Sequence, residues 1–212
     1  MFTIRFQTET KKYAEKLAEI LDANVERIDT VVPYPPYGGP SSPVVEQGNR
    51  EVQAGYCPEI KPLSHNVADY DVVAVGTPTW WYTMAPAMFT FLTSQDWNGK
   101  TVIPFMTHGG WPGHVVRDIK KRCNGASFAE SIQIQFDSQG GARLKTKESE
   151  ITGWMERVKE EIIMAEKSYR QQAEISLENL HRSSLISMTM YFSVRTGTMR
   201  TLMSRLAASS LL

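Results

Sequence analysis

Two short segments carry residue types that suit a flat ligand with a polar edge. The first spans residues 76–83 and places hydroxyls beside three adjacent rings; in order, its candidate binding residues are Thr77, Pro78, Thr79, Trp80, Trp81 and Tyr82. Stacking on Trp or Tyr adds about 0.5–1.5 kcal/mol beyond the burial of area. Two interpretations are open: the rings stack on a heteroaromatic ligand, or they fold under the loop and complete the core.

The second segment is a glycine-rich loop that offers backbone donors. It contains Thr107, His108, Gly109 and Gly110. Glycine lets a ligand edge approach the backbone closely, and free N–H groups there donate hydrogen bonds. His108 is interpreted either as a proton donor or as a solvated loop residue. Downstream, His114 is expected at the surface, and residues 118–122 are expected to form a solvated helix face.

Both segments directly follow predicted strands. Residues 72–76 form a continuous apolar run without alternation, which is typical of a parallel strand covered on both faces, and residues 101–106 form the next strand. In sheets of this kind, ligands bind at the carboxyl ends of the strands near the topological switch point. The segments at 77–83 and 107–110 are therefore predicted to share one binding edge.

The remaining elements alternate between strand and helix. Helices are predicted at 10–23, 44–54, 84–93, 114–121 and 148–182, and further strands at 24–32, 131–136 and 185–192. The strand at 131–136 alternates apolar and polar residues, as a half-exposed edge strand does. The alternation predicts an α/β fold, in which a doubly wound parallel sheet lies between two helical layers.

Composition excludes several functional classes. The 212 residues carry 23 basic and 23 acidic side chains, so the net charge of zero gives no electrostatic ground for a nucleic-acid or anionic-membrane partner. The uncharged run at 72–95 contains Gly76, Pro78 and Pro86 and is interpreted as core rather than as a membrane span. Two cysteines without a C-x-x-C pair predict a reducing, cytoplasmic compartment.

These motifs in combination resemble the flavodoxin-like family. The sequence Gly-Thr-Pro-Thr-Trp-Trp at 76–81, the stretch at 97–105 and Thr-His-Gly-Gly at 107–110 resemble its bacterial branch with G-x-P-x-W-W and S/T-x-G-G loops. The resemblance covers roughly residues 10 to 165. It implies a five-stranded sheet of order 2-1-3-4-5 and one FMN. Residues 77–82 would then enclose one side of the isoalloxazine, and residues 107–110 would contact its pyrimidine edge.

The phosphate-binding part of the family pattern is altered at the N-terminus. Where the family has S-x-T-G-N-T, this chain offers the hydroxyls of Thr8 and Thr10 with Glu9 between them and no glycine. A phosphate at a helix N-terminus is stabilised by free amides and the helix dipole, whereas a carboxylate beside it is repelled.

A second copy of that pattern occurs near the C-terminus. Residues 186–198 resemble the family's first strand and phosphate loop, including Ser193, Thr196, Gly197 and Thr198. Three interpretations are open. The segment takes the strand-one place in its own domain, takes it in a neighbouring chain as a swapped homodimer, or begins a second repeat that does not contribute to binding.

The predicted organisation is an FMN-binding domain at 1–165 and a C-terminal extension at 166–212, consisting of a helix continuation and a β-loop-α unit. The predicted function is electron transfer, or NAD(P)H-dependent reduction by a small, quinone-reductase-like oxidoreductase, with a redox donor and acceptor as partners. The neutral charge favours the enzyme over an acidic electron shuttle. The alternative is a cofactor-free binding or assembly module that keeps the fold with a degenerate phosphate loop.

Overall fold

The chain forms alternating strands and helices in a computed structural model that describes residues 2–4, 8–37, 39, 41–137 and 143–183. The helices in this part of the chain are α1 (Thr8–Leu21), α2 (Pro43–Ala54), α3 (Pro86–Thr93), α4 (Val115–Arg122) and α5 (Glu148–Ser183). The strands are β1 (Phe2–Ile4), β2 (Glu26–Ile28), β3 (Val72–Trp80), β4 (Thr83–Met84), β5 (Thr101–His108), β6 (Ser127–Phe128) and β7 (Ile132–Gln135).

The central sheet is parallel and has the predicted strand order. Strand β1 lies between β2 and β3, and β3 pairs with β5 from Val72 opposite Thr101 to Pro78 opposite Thr107. Both β6 and β7 pair with β5, so the fifth position of the sheet is divided between two short strands. Strand β4 folds back antiparallel on β3. In these labels the order is β2-β1-β3-β5, followed by β6 and β7. When the hairpin strand β4 is left out and β6 and β7 are counted as one position, this is the predicted 2-1-3-4-5 order.

Side chains of neighbouring residues in β3 enter two separate cores, because successive residues of a strand point to opposite faces. Val73 and Val75 belong to one core and Ala74 to the other. The first core is completed by buried residues of the helices on that face, including Val44, Met88 and Ile119 from α2, α3 and α4. The second is completed by α1 and α5, through residues that include Tyr13, Leu17, Trp154 and Val158. This is the predicted three-layer arrangement.

The strands that lead to the binding edge are longer than predicted. Strand β3 continues through Thr77–Trp80 and β5 through Thr107 and His108, so these residues are strand and not loop. The prediction ended β3 at Gly76 because a glycine and a proline follow the apolar run. However, the branched and aromatic residues beyond Gly76 favour extended backbone. Thr77 and Pro78 pair with β5, and β4 supplies a partner for Thr79 and Trp80.

The outer strands of the sheet differ in how well their boundaries were predicted. Strand β2 is three residues long instead of spanning 24–32, and beyond it Thr30 forms an isolated antiparallel bridge with Ile60. Strand β6 was not predicted. Strand β7 confirms the alternating pattern, with Ile132 and Ile134 buried and Gln133 and Gln135 exposed.

The chain divides into two units at Ile162 and Ile163, within the long helix α5. In the second unit, Met164 and Tyr169 are exposed. Residues 186–198, and with them the predicted tail strand, lie outside the described residues. The strand-one place that one interpretation gave to this tail is filled by β1. Among the described helices, none is long and apolar enough to cross a membrane.

Candidate flavin site

The rings of the first motif are carried by a tight turn between β3 and β4. Trp80 pairs with Thr83, so Trp81 and Tyr82 form a two-residue hairpin loop. Their φ angles are 43° and 66°, in the left-handed region that usually demands Asn, Asp or Gly. Two large aromatic residues in this conformation cost on the order of 1–3 kcal/mol each. Strain of this kind persists only where the surroundings hold it, and it clusters at functional sites.

The rings of Trp80, Trp81 and Tyr82 differ in burial. Completion of the core therefore describes the most buried ring, and stacking on a ligand is open to the more exposed ones. Trp80 is 4% exposed and belongs to the core. Trp81 is half-buried and packs against that core, and its ring meets Trp80 edge to face at 6.0 Å between centroids. Tyr82 is 57% exposed. No pattern in the sequence separates these three neighbours, because the exposure of each ring depends on the geometry of the turn.

Helix α2 supports the two tryptophan rings through a glycine. A Cβ placed on Gly48 would lie 2.5 Å from the Trp81 ring and 2.9 Å from the Trp80 ring. Real Cβ atoms do not approach other atoms so closely, and therefore a larger residue at this position would displace the rings. Gly48 was not identified from the sequence.

Helix α4 and the residues before it hold the opposite side of the turn. The His114 N–H donates to the Tyr82 carbonyl oxygen over 2.8 Å, and the Thr83 hydroxyl donates to Asp118 over 2.7 Å. Gly113, with a φ of 57°, lies so close that a Cβ there would be 2.1 Å from the Tyr82 oxygen. Asp118 was expected on a solvated helix face, and the structure corrects this because its side chain contacts the hairpin.

The second motif lies at the end of β5, next to the start of α1. Thr107 is buried, and its hydroxyl shares a 2.6 Å hydrogen bond with the hydroxyl of Thr10. Thr8 is the first residue of α1. The Thr10 hydroxyl, predicted to contact a cofactor phosphate, is thus engaged with the neighbouring strand.

His108 is the last residue of β5 and not a residue of a solvated loop. Its Nδ1 accepts a hydrogen bond from the Gly110 N–H over 3.1 Å. Since an accepting nitrogen carries no proton, the neutral ring holds its hydrogen on Nε2. Burial lowers the pKa of the His108 imidazole below its usual range. The Nε2–H of the neutral His108 ring is therefore a hydrogen-bond donor. The Gly110 N–H is already bonded to His108.

A cavity of about 440 Å³ opens between the two motifs at the carboxyl ends of β3 and β5. Its walls include Pro78 and Thr79, the three rings, Thr107, His108 and Gly109, together with Tyr37, Val45, Trp111, Phe136 and Asp137. Within the described part of the chain, the buried Thr79 Oγ1 has no hydrogen-bond partner. The cavity therefore combines aromatic residues with polar ones such as Thr79, Thr107 and His108, as expected for a flat ligand with polar atoms at its edge.

Comparison with known proteins identifies the family. The family model described as Flavodoxin matches residues 4–158. The chain belongs to the flavodoxin family. No curated protein is detectably similar to it.

Solved structures agree with this flavodoxin fold. A protein named as a flavoprotein from Bacteroides eggerthii is 24% identical, with a TM-score of 0.57 over 74% of this chain and 94% of the other. A second, from Bacteroides uniformis, is 20% identical, with a TM-score of 0.58 over 73% and 95% of the two chains. A flavoprotein from Lactobacillus acidophilus in complex with FMN is 21% identical, with a TM-score of 0.49 over 62% and 89%.

The structure brings together half of the site residues predicted for this flavodoxin. Residues 78–82 and 107–109 line the cavity. Thr77 is fully buried behind it, where its hydroxyl accepts from the Ala85 N–H over 3.4 Å. Ser193, Thr196, Gly197 and Thr198 lie outside the described residues. No cluster of potential metal ligands occurs among the side chains that the structure describes.

Proposed function

We propose that the protein binds FMN in the cavity between the aromatic hairpin and the end of β5 and acts as a redox protein. The observation that carries the proposal is the cavity itself, whose walls combine tryptophan and tyrosine side chains with Thr79, a residue whose buried hydroxyl has no partner. Leaving a buried hydroxyl unpaired costs about 1–3 kcal/mol. A ligand with polar atoms along the edge of a flat ring would satisfy the hydroxyl and cover the apolar walls.

The residues present fit the ring of FMN. The hairpin rings would cover the isoalloxazine and exclude water from it. The hydroxyl of Thr79, the backbone of Gly109 and the Nε2–H of His108 would provide hydrogen bonds to its polar edge. When bound, FMN supplies the capacity to accept and release electrons, and the protein tunes it through such contacts.

The phosphate would lie at the N-terminus of α1. The first amides of a helix attract a phosphate, but Glu9 in the first turn of α1 opposes it. Binding through the ring is therefore proposed to outweigh binding through the phosphate.

The proposed reaction is electron transfer from a reduced nicotinamide to a small acceptor such as a quinone. Two observations support a small acceptor over a basic protein partner. The chain has no net charge, and Tyr82 and Trp111, each 57% exposed, place aromatic rings where the cavity meets solvent. The free thiols of Cys57 and Cys123 support a cytoplasmic location.

The test is the visible absorption spectrum of the purified chain after incubation with excess FMN and removal of the unbound flavin. We expect flavin bands at close to one FMN per chain, followed by bleaching on addition of NADH or NADPH and recovery with a quinone. Absence of retained flavin would contradict the proposal and favour the alternative, a cofactor-free assembly module. Retained flavin that no nicotinamide reduces would favour an electron carrier.

A further inference from the structure

The aromatic hairpin is held in its left-handed conformation by contacts from one side. Its carbonyl at Tyr82 accepts from the His114 N–H, and its last residue, Thr83, donates to the carboxylate of Asp118. Gly113 permits the close approach. Thus the turn that carries Trp81 and Tyr82 is tied to the start of α4 at two successive residues.

Asp118 is the centre of these contacts. Its side chain is 14% exposed, and the same Oδ2 that accepts from Thr83 also contacts Nδ1 of His114. Arg117 lies farther away, with its Nε 3.7 Å from Oδ1. The carboxylate also lies in the first turn of α4, where the helix dipole stabilises a negative charge. One side chain thereby ties the hairpin to the residue whose backbone supports the Tyr82 carbonyl.

We propose that Asp118 is a positioning residue that, through Thr83 and His114, holds the Trp81–Tyr82 turn as a preformed wall of the flavin cavity. The inference rests on the proposed function. A binding site that is already ordered in the free protein binds its ligand more tightly, because less conformational entropy is lost on binding. Without the carboxylate, the two left-handed residues would relax, and the flavin would have to restore them.

The experiment compares FMN dissociation constants of full-length variants. We expect Asp118→Ala and Thr83→Val each to weaken FMN binding about tenfold, which corresponds to losing one charge-assisted hydrogen bond. Because both act on one contact, the double variant is expected to be little weaker than either single one. Thr83→Ser keeps the donor and is expected to stay within about twofold of wild type.

The matched control removes another surface carboxylate with a comparable partner. Glu130 contacts Arg157 through both oxygens and precedes β7, at the end of that strand away from the cavity. Glu130→Ala is expected to leave FMN affinity unchanged. An Asp118→Ala variant that binds FMN as tightly as wild type, or a Thr83→Ser variant as weak as Thr83→Val, would overturn the proposal.

Amide hydrogen exchange in the flavin-free chain separates failure of this inference from failure of the proposed function. We expect the His114 amide to exchange at least about tenfold faster in Asp118→Ala than in wild type, because its bond to Tyr82 opens more often. Unchanged exchange would overturn the role of Asp118 in holding the turn. A wild-type chain that binds no FMN would overturn the proposed function instead, while the exchange result still decides whether Asp118 holds the hairpin.

Relief of the strain provides a sharper variant. Glycine adopts a φ of 66° without steric cost, so Tyr82→Gly should hold the turn with less help from α4. In the Tyr82→Gly background, we expect Asp118→Ala to weaken FMN binding by less than about threefold. A full tenfold loss in that background would show that Asp118 acts by some route other than holding the turn.

Discussion

The two ends of the proposed cofactor site are built differently. At the ring end, the hairpin is supported by Gly48 of α2 on one side and by Gly113 and α4 on the other. At the phosphate end, the first turn of α1 carries Glu9, and the hydroxyl of Thr10 is already bonded to Thr107. If the proposed function holds, we expect shape and stacking to contribute more to flavin affinity than phosphate charge does.

Removing the half-buried ring of the hairpin tests the stronger end directly. Trp81→Ala is expected to raise the FMN dissociation constant about 30-fold, because base or flavin stacking on an aromatic side chain is worth about 1–3 kcal/mol. Isothermal titration calorimetry measures the change. Tyr56→Ala removes an exposed ring away from the cavity and should leave affinity unchanged. Equal affinity of Trp81→Ala and wild type would remove stacking from the account.

The contact between the two ends is tested by the buried threonine pair. Thr107→Val keeps the shape but leaves the Thr10 hydroxyl without its partner, so we expect the free energy of unfolding to fall by about 1–2 kcal/mol. Urea denaturation of the flavin-free chain measures this change, and Thr107→Ser should behave as wild type. If Thr107→Val is as stable as wild type, the two ends are not coupled through this bond.

Removing the negative charge of Glu9 at the phosphate end of the site should strengthen FMN binding. Glu9→Gln is expected to strengthen FMN binding about threefold at low salt, since it removes a negative charge near the proposed phosphate position. Riboflavin, which lacks the phosphate, should bind both proteins equally. A parallel change for FMN and riboflavin would place Glu9 outside the phosphate site.

The smallest expected effect concerns the pH dependence of stability. Burial lowers the pKa of folded His108. The unfolded chain therefore binds this proton first as the pH falls, and stability declines from just above the ordinary histidine pKa down to the lowered one. His108→Gln, whose amide oxygen can still accept from Gly110, should reduce the slope of unfolding free energy against pH by a fraction of a proton. An unchanged slope would mean that His108 does not titrate differently on folding.

The three layers could be predicted because they follow from periodicity, whereas the sheet order was expected from the resemblance to the flavodoxin-like family. The unbroken run at 72–76 and the alternation at 131–136 report how many faces of each strand are buried. The support of the hairpin could not be predicted in this way. Asp118 lies among the charged residues of the amphipathic helix α4, and its contact with Thr83 joins residues 35 positions apart.

The ends of the strands were missed for a related reason. Thr77 and Pro78 become strand by pairing with β5, and Thr79 and Trp80 become strand because β4 returns to pair with them. The positive φ angles of Trp81 and Tyr82 run against their intrinsic preferences. In these residues the tertiary contacts, and not the local sequence, decide the conformation. The ring end of the site depends on the same contacts.

The central claim is that the ring end carries most of the flavin affinity. Parallel calorimetric titrations of the wild-type chain with FMN and riboflavin test it most directly. We expect both flavins to bind at one per chain, with riboflavin weaker by less than about tenfold, or 1.4 kcal/mol. Tight FMN binding with no detectable riboflavin binding would contradict the account, because the phosphate would then supply most of the affinity.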